Sequence, residues 1–142
     1  MTLWKLLILL ASGMWFASWF LPVNSGGGMG GWPPGWDALR VSLAPLWPYR
    51  DTTFSGDPLW FNSLGVVSGL TNLAFLGTWL TFLARRASLP WILLLACGVV
   101  NTCWLLSGGR SDLRIGYYLW LGSYFVMAGA LRAQPARDRI DQ

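Results

Sequence analysis

Few side chains in this chain could do chemistry. Asn72 and Asn101 sit in separate apolar runs, and Cys97 and Cys103 share one of those runs. Asp51 and Asp57 stand with Arg50 in a turn-rich stretch. An amide surrounded by hydrocarbon must find partners for its donors and acceptor, so both asparagines are expected to face protein. If their two runs form an antiparallel hairpin centred between Arg86 and Ala87, each asparagine lies 14.5 positions from that centre. They are therefore expected to meet at one depth as an interhelical polar contact. The sharper alternative is a polar lining for a ligand or water path. Trp120, in the last run, is placed near the level of Asn101, with its indole N–H toward an amide oxygen. Thr71, Thr78, Thr102 and Ser123 could extend such a lining, although hydroxyls in apolar helices commonly bond their own backbone.

Cys97 and Cys103 are separated on a helix by about 9 Å of rise and about 240° of rotation. They cannot bridge each other there and read as small apolar packing residues. The two loop aspartates would need a supporting base or metal ligands for acid–base work, so no enzyme activity is expected. The chain has no histidine and no glutamate. That removes Ser-His-Asp and Cys-His catalysis, His-ligated haem and the H-E-x-x-H zinc site, and no metal site is expected. No aspartate falls inside an apolar run, and ion-coupled transporters usually carry ionisable groups at membrane depth. No Walker-type phosphate loop is present. The net charge of +4 comes from scattered residues rather than a dense basic stripe, so no nucleic-acid partner is expected.

The elements that must position these residues follow from composition. Hydrophobic residues make up 54% of the 142 and charged residues only 11%, against roughly 25% charge in an ordinary soluble domain. Four apolar runs are each long enough to cross a hydrocarbon core of ~30 Å. The expectation is an all-α integral membrane protein, a single domain over 1–142 with spans at about 3–21, 59–84, 89–107 and 113–131. A loop over 22–58 carries a short interfacial helix, and a tail covers 132–142. A cleaved leader is the competing reading of the first run, with Lys5 before it and small residues near Ala17 and Ser18. At about 19 residues the run exceeds the ~7–15 of a leader's apolar region, so a retained helix is expected. Asp37 is placed as the cap of a short helix over Ala38 to Ala44 that Pro45 ends. Its stripe of Trp36, Leu39, Leu43 and Trp47 suits a membrane surface. Asn62 or Ser63, Ser88, and Ser111 or Asp112 are read as caps of the later spans.

Lys5, Arg85, Arg86, Arg132, Arg137 and Arg139 would lie on one side, six basic residues against the four at Arg40, Arg50, Arg110 and Arg114. That bias places both termini in the cytoplasm and the 22–58 loop outside. The preference for arginine and the compact size suggest a bacterial inner membrane.

Two surfaces remain. Gly65, Ser68 and Gly69 form a small-residue face with Asn72 one turn on, suited to close helix packing. Trp32, Trp36, Trp47 and Trp60 make the outer loop an interaction surface, since exposed aromatic patches mark binding sites. The leading functional expectation is a non-catalytic accessory or structural subunit of a larger membrane complex, or a protein that associates with itself, in contact with membrane lipids. The alternatives are a small oligomeric pore, or a binder of a lipid-soluble ligand such as a quinone or pigment held near Trp120 and Tyr124. No cofactor is otherwise expected.

Overall fold

The computed structural model describes residues 2–24, 33–46, 59–83, 91–106 and 113–134. Among these the architecture is all-helical. The order is α1 (Leu3–Ser18), α2 (Gly35–Leu43) running into a 3-10 turn (Ala44–Leu46), α3 (Leu59–Leu83), α4 (Trp91–Leu106) and α5 (Ile115–Arg132). Only α3 contains a stretch both long and apolar enough to cross a membrane, Asn62–Phe82, while α1 and α4 are shorter apolar helices.

The observed ends differ from the expected ones for local reasons. α1 stops at Ser18 rather than running to residue 21, because Trp19 and Phe20 close its last turn onto Phe16 and Ala17. The chain then becomes extended, and Pro22 pairs with Pro34 and Asn24 with Leu113. Asp37 is not the cap of α2. The helix begins two residues earlier behind Pro34, and Asp37 instead pairs within the first turn with Arg40 Nε at 2.9 Å. Pro45 sits inside the 3-10 turn. α3 begins before Asn62 and Ser63, and Ser63 Oγ donates back to the Leu59 carbonyl at 2.8 Å, a bond of the helix interior. Arg114, not Ser111 or Asp112, is the residue before α5, and its side chain makes no capping bond. Ser88, Ser111, Asp112, Trp32 and Trp47 lie outside the described residues.

The long helices pack around α5. α1 and α4 both contact it extensively, and α2 packs on α3. α1 and α3 meet mainly through large rings: Trp15 stacks on Phe75 with centroids 5.1 Å apart, and Trp4 meets Phe82 edge-on at 6.3 Å. Tyr124, Phe75, Leu94, Met127 and Asn101 are fully enclosed. Cys97 is buried and Cys103 exposed, both as free thiols.

The arrangement of polarity is inverted relative to a water-soluble bundle. Ser18, Ser68, Thr71, Thr78, Asn101 and Ser123 are buried. Leu9 and Phe16 of α1, Leu73 and Leu80 of α3, Ile92 and Val99 of α4, and Ile115 and Phe125 of α5 are exposed. The hydroxyls avoid isolation by bonding to carbonyls of the preceding turn: Thr78 to Ala74, Thr102 to Gly98 and Ser123 to Trp120.

Candidate functional site: a cavity beneath the short helix

Residues 19–24 form the frame of the site. They are clamped on both sides by backbone hydrogen bonds: Val23 N–H to Pro33 O, Trp36 N–H to Trp19 O, Arg114 N–H to Val23 O and Gly116 N–H to Pro22 O, at 2.9 to 3.1 Å. Gly116 must lack a side chain here, because a β-carbon would stand 2.7 Å from the Leu21 and Pro22 carbonyl oxygens. The clamp fixes where α2 starts and sends it across α3.

α2 packs on α3 with none of its residues fully buried. Leu43 and Ser42 press onto Gly69, where an added β-carbon would meet Ser42 Oγ at 2.7 Å and Leu43 Cδ2 at 2.8 Å. Leu39 turns inward, while Trp36 stays 51% exposed. The expected surface stripe is thus divided between the bundle and the outside. The small face of α3 receives this short helix rather than a long one. Contact is close at Gly69 but loose at Gly65, whose nearest neighbours, atoms of Ser42, are 3.8–3.9 Å from an added β-carbon.

That looseness leaves a cavity of about 250 Å³. Ala38, Leu39 and Ser42 roof it, and Asn62, Gly65 and Ser68 form one wall. Trp19, Trp104 and Tyr117 line the remainder, with Asn72 and Trp120 at the floor. Its surface is mainly apolar, and among the described residues no Asp, Glu, Lys or Arg side chain lines it.

The floor is a closed polar and aromatic assembly. Asn72 Oδ1 accepts the indole N–H of Trp15 at 3.0 Å and of Trp120 at 2.9 Å, and its Nδ2 donates to the Gly69 carbonyl at 3.2 Å. Phe75 meets Tyr124 edge-on at 5.4 Å, and Trp120 meets Tyr124 edge-on at 5.6 Å. Next to it, Asn101 Nδ2 donates to Thr71 Oγ1 at 3.0 Å, Thr71 and Tyr124 hydroxyls are 3.0 Å apart, and Tyr117 donates to the Asn101 carbonyl at 2.7 Å. Ser68 Oγ accepts the Trp104 indole at 2.8 Å.

Asn72 and Asn101 therefore do not bond to each other, and Trp120 serves Asn72 rather than Asn101. Successive residues on a helix point about 100° apart. Thr71 is turned to α4 and receives Asn101, while Asn72 is turned to α1 and α5 and receives their indoles. A depth argument counts rise along the helix and is blind to that rotation. Trp15 and Thr71 are the members that depth alone does not identify, although Thr71 is the polar neighbour of Asn72 in sequence. Of the loop tryptophans, Trp36 and Trp60 are both exposed, at 51% and 59%. Among the described residues two buried side-chain acceptors have no partner: Asn101 Oδ1 in the packed interior, and Asn62 Oδ1, an enclosed atom of a residue that lines the cavity. Comparison of the chain with protein-family models, curated proteins and solved structures finds no match.

Proposed function

We propose that this chain is a four-span membrane protein that holds a lipid-soluble ligand beneath α2. The membrane reading draws on the inverted polarity of the bundle. Large aliphatic and aromatic side chains are exposed on all four long helices, whereas Ser18, Ser68, Thr71, Thr78, Asn101 and Ser123 are inside. In water such a surface would aggregate, and in hydrocarbon it is the natural arrangement. α1 and α4, with 16 residues each, rise only about 24 Å. A shortfall of a few Å is accommodated by bilayer thinning at modest cost. Lys5 lies over the Trp4 ring at 5.2 Å and Arg132 over the Trp91 ring at 5.1 Å, all at one end of the bundle. A basic and aromatic belt there supports cytoplasmic termini and an outward α2, as expected of a bacterial inner membrane protein.

The ligand reading is carried by one observation: α2 bridges the small face of α3 without filling the space above Asn72. Mostly apolar walls with a few fixed polar atoms describe a small-molecule site. A pore is a poorer fit, because the polar groups of Asn72, Thr71, Asn101, Tyr117 and Tyr124 are engaged with indoles, with one another or with backbone. The test is native mass spectrometry of the protein taken from its own membranes in mild detergent. A bound apolar species, lost in Gly65→Leu, supports the reading, and its absence from wild type opposes it.

Exposed Trp36 and Trp60 keep a second role open, as an accessory subunit docking on a larger membrane protein through this end. Copurification of one stoichiometric partner, weakened by Trp36→Ala or Trp47→Ala with insertion intact, supports it.

A further inference from the structure

Building on the cavity reading, we infer that the space beneath α2 takes one hydrocarbon chain, about ten carbons of it, from a lipid whose head stays outside. Three observations carry that class. The first is size. An apolar cavity of about 150 Å³ accepts a six-carbon ring. At about 250 Å³ this one has room for on the order of ten carbons, so neither a two-chain lipid nor a large pigment enters whole.

The second is the state of the polar groups around the space. Asn72 Oδ1 accepts two indoles, and Asn72 Nδ2 donates to the Gly69 carbonyl. Ser68 Oγ accepts the Trp104 indole, and Tyr117 donates to the Asn101 carbonyl. Ser18 and Ser42 bond to carbonyls of their own helices, at Trp15 and Leu39. These groups hold their bonds without a ligand, so no head group is required to complete them. Asn62 Oδ1 is enclosed and out of an occupant's reach. A quinone ring would bring carbonyl acceptors, and it finds the indole N–H groups of Trp104 and Trp120 taken. The third observation is the surface that is left. Val23, Ala38, Leu39, Pro45 and Leu113 line the space, beside the loose contact at Gly65. A chain there makes the dispersion contacts that a void forfeits.

The experiment is a competition on the full chain in digitonin, a detergent whose apolar part is a rigid steroid rather than a chain. The probe is a decyl phosphocholine with a diazirine at the chain end, mapped by its crosslinks to α2 and α3. The competitors, at equal mole fraction in the micelle, are alkyl phosphocholines from hexyl to hexadecyl, decyl maltoside, decyl phosphate and a dimethoxy-benzoquinone without a tail. Competition should strengthen with chain length up to about ten carbons and then level off. The three decyl compounds should compete alike, and the tail-less quinone should not compete. Leu39→Ala, which removes about three carbons from the roof, should move the plateau to correspondingly longer chains. Competition that follows the head, climbs through hexadecyl without levelling, or is matched by the bare quinone would overturn the inference while leaving the cavity reading standing. The wild-type series decides even if Leu39→Ala fails to fold. If the probe misses the cavity walls, or labels Gly65→Leu as it labels wild type, the cavity reading falls as well.

Discussion

Trp15 on α1 and Trp120 on α5 donate to one and the same oxygen, Asn72 Oδ1, at 3.0 and 2.9 Å. A single amide on α3 thereby ties three helices together and forms the floor of the cavity. Removing one indole donor leaves the acceptor still bonded, whereas removing the amide orphans two donors. Trp120→Phe and Trp15→Phe should each destabilise by about 0.6–1.7 kcal/mol, and Asn72→Leu by more than either. Unfolding in detergent, followed by circular dichroism, checks the order.

The position of Thr71 predicts where coupling is found. Asn101 bonds to Thr71 and not to Asn72. A double-mutant cycle on Thr71 and Asn101 should therefore show an interaction energy of at least ~0.5 kcal/mol, whereas Asn72→Ala and Asn101→Ala should add within about that amount. Strong coupling between the two asparagines would mean that α3 is rotated from the orientation described.

How much of this was legible in the sequence can be argued from the same residues. The absence of His, Glu and any carboxylate within a run limited the chemistry to amides, hydroxyls and indoles, and the structure builds its polar interior from those groups. The equal depth of Asn72 and Asn101 follows from counting residues. Their partners do not, because the ~100° step between Thr71 and Asn72 matters only once α1, α4 and α5 are placed around α3. Gly65 and Gly69 read alike as a small face. Only the entry of α2, fixed by the backbone bonds of residues 19–24, makes one a tight contact and the other a cavity wall. Helix length was overestimated for α1 because Trp19, Phe20 and Leu21 are apolar yet belong to the turn.

The two glycines give the sharpest contrast by substitution. Gly69→Ala pushes a β-carbon against Ser42 and Leu43 and should destabilise α2 packing by about 1–3 kcal/mol, as overpacking does. Gly65→Ala meets only ordinary contacts and removes a flexible residue from a helix, so it should be neutral or stabilising by up to ~1 kcal/mol. Limited proteolysis at Arg40 reads the difference. Faster cleavage is expected in Gly69→Ala alone.

The orientation of the bundle is testable with reporter fusions. Fusions after Arg86 and Arg137 should report cytoplasm, and those near Gly56 and Gly109 should report the outside. A cytoplasmic signal at Gly56 would invert the frame. Processing after Ala17 or Ser18 would remove the helix that supplies Trp15 to Asn72.

The most direct test of a ligand beneath α2 is photo-crosslinking with a diazirine-bearing single-chain lipid in native membranes, followed by peptide mapping. The account predicts crosslinks concentrated on the cavity walls, at Leu39 and Ser42 of α2 and at Asn62 and Gly65 of α3, and their loss in Gly65→Leu. Crosslinks confined to the outward positions Leu73, Leu80, Ile92 and Val99, unchanged in Gly65→Leu, would contradict it.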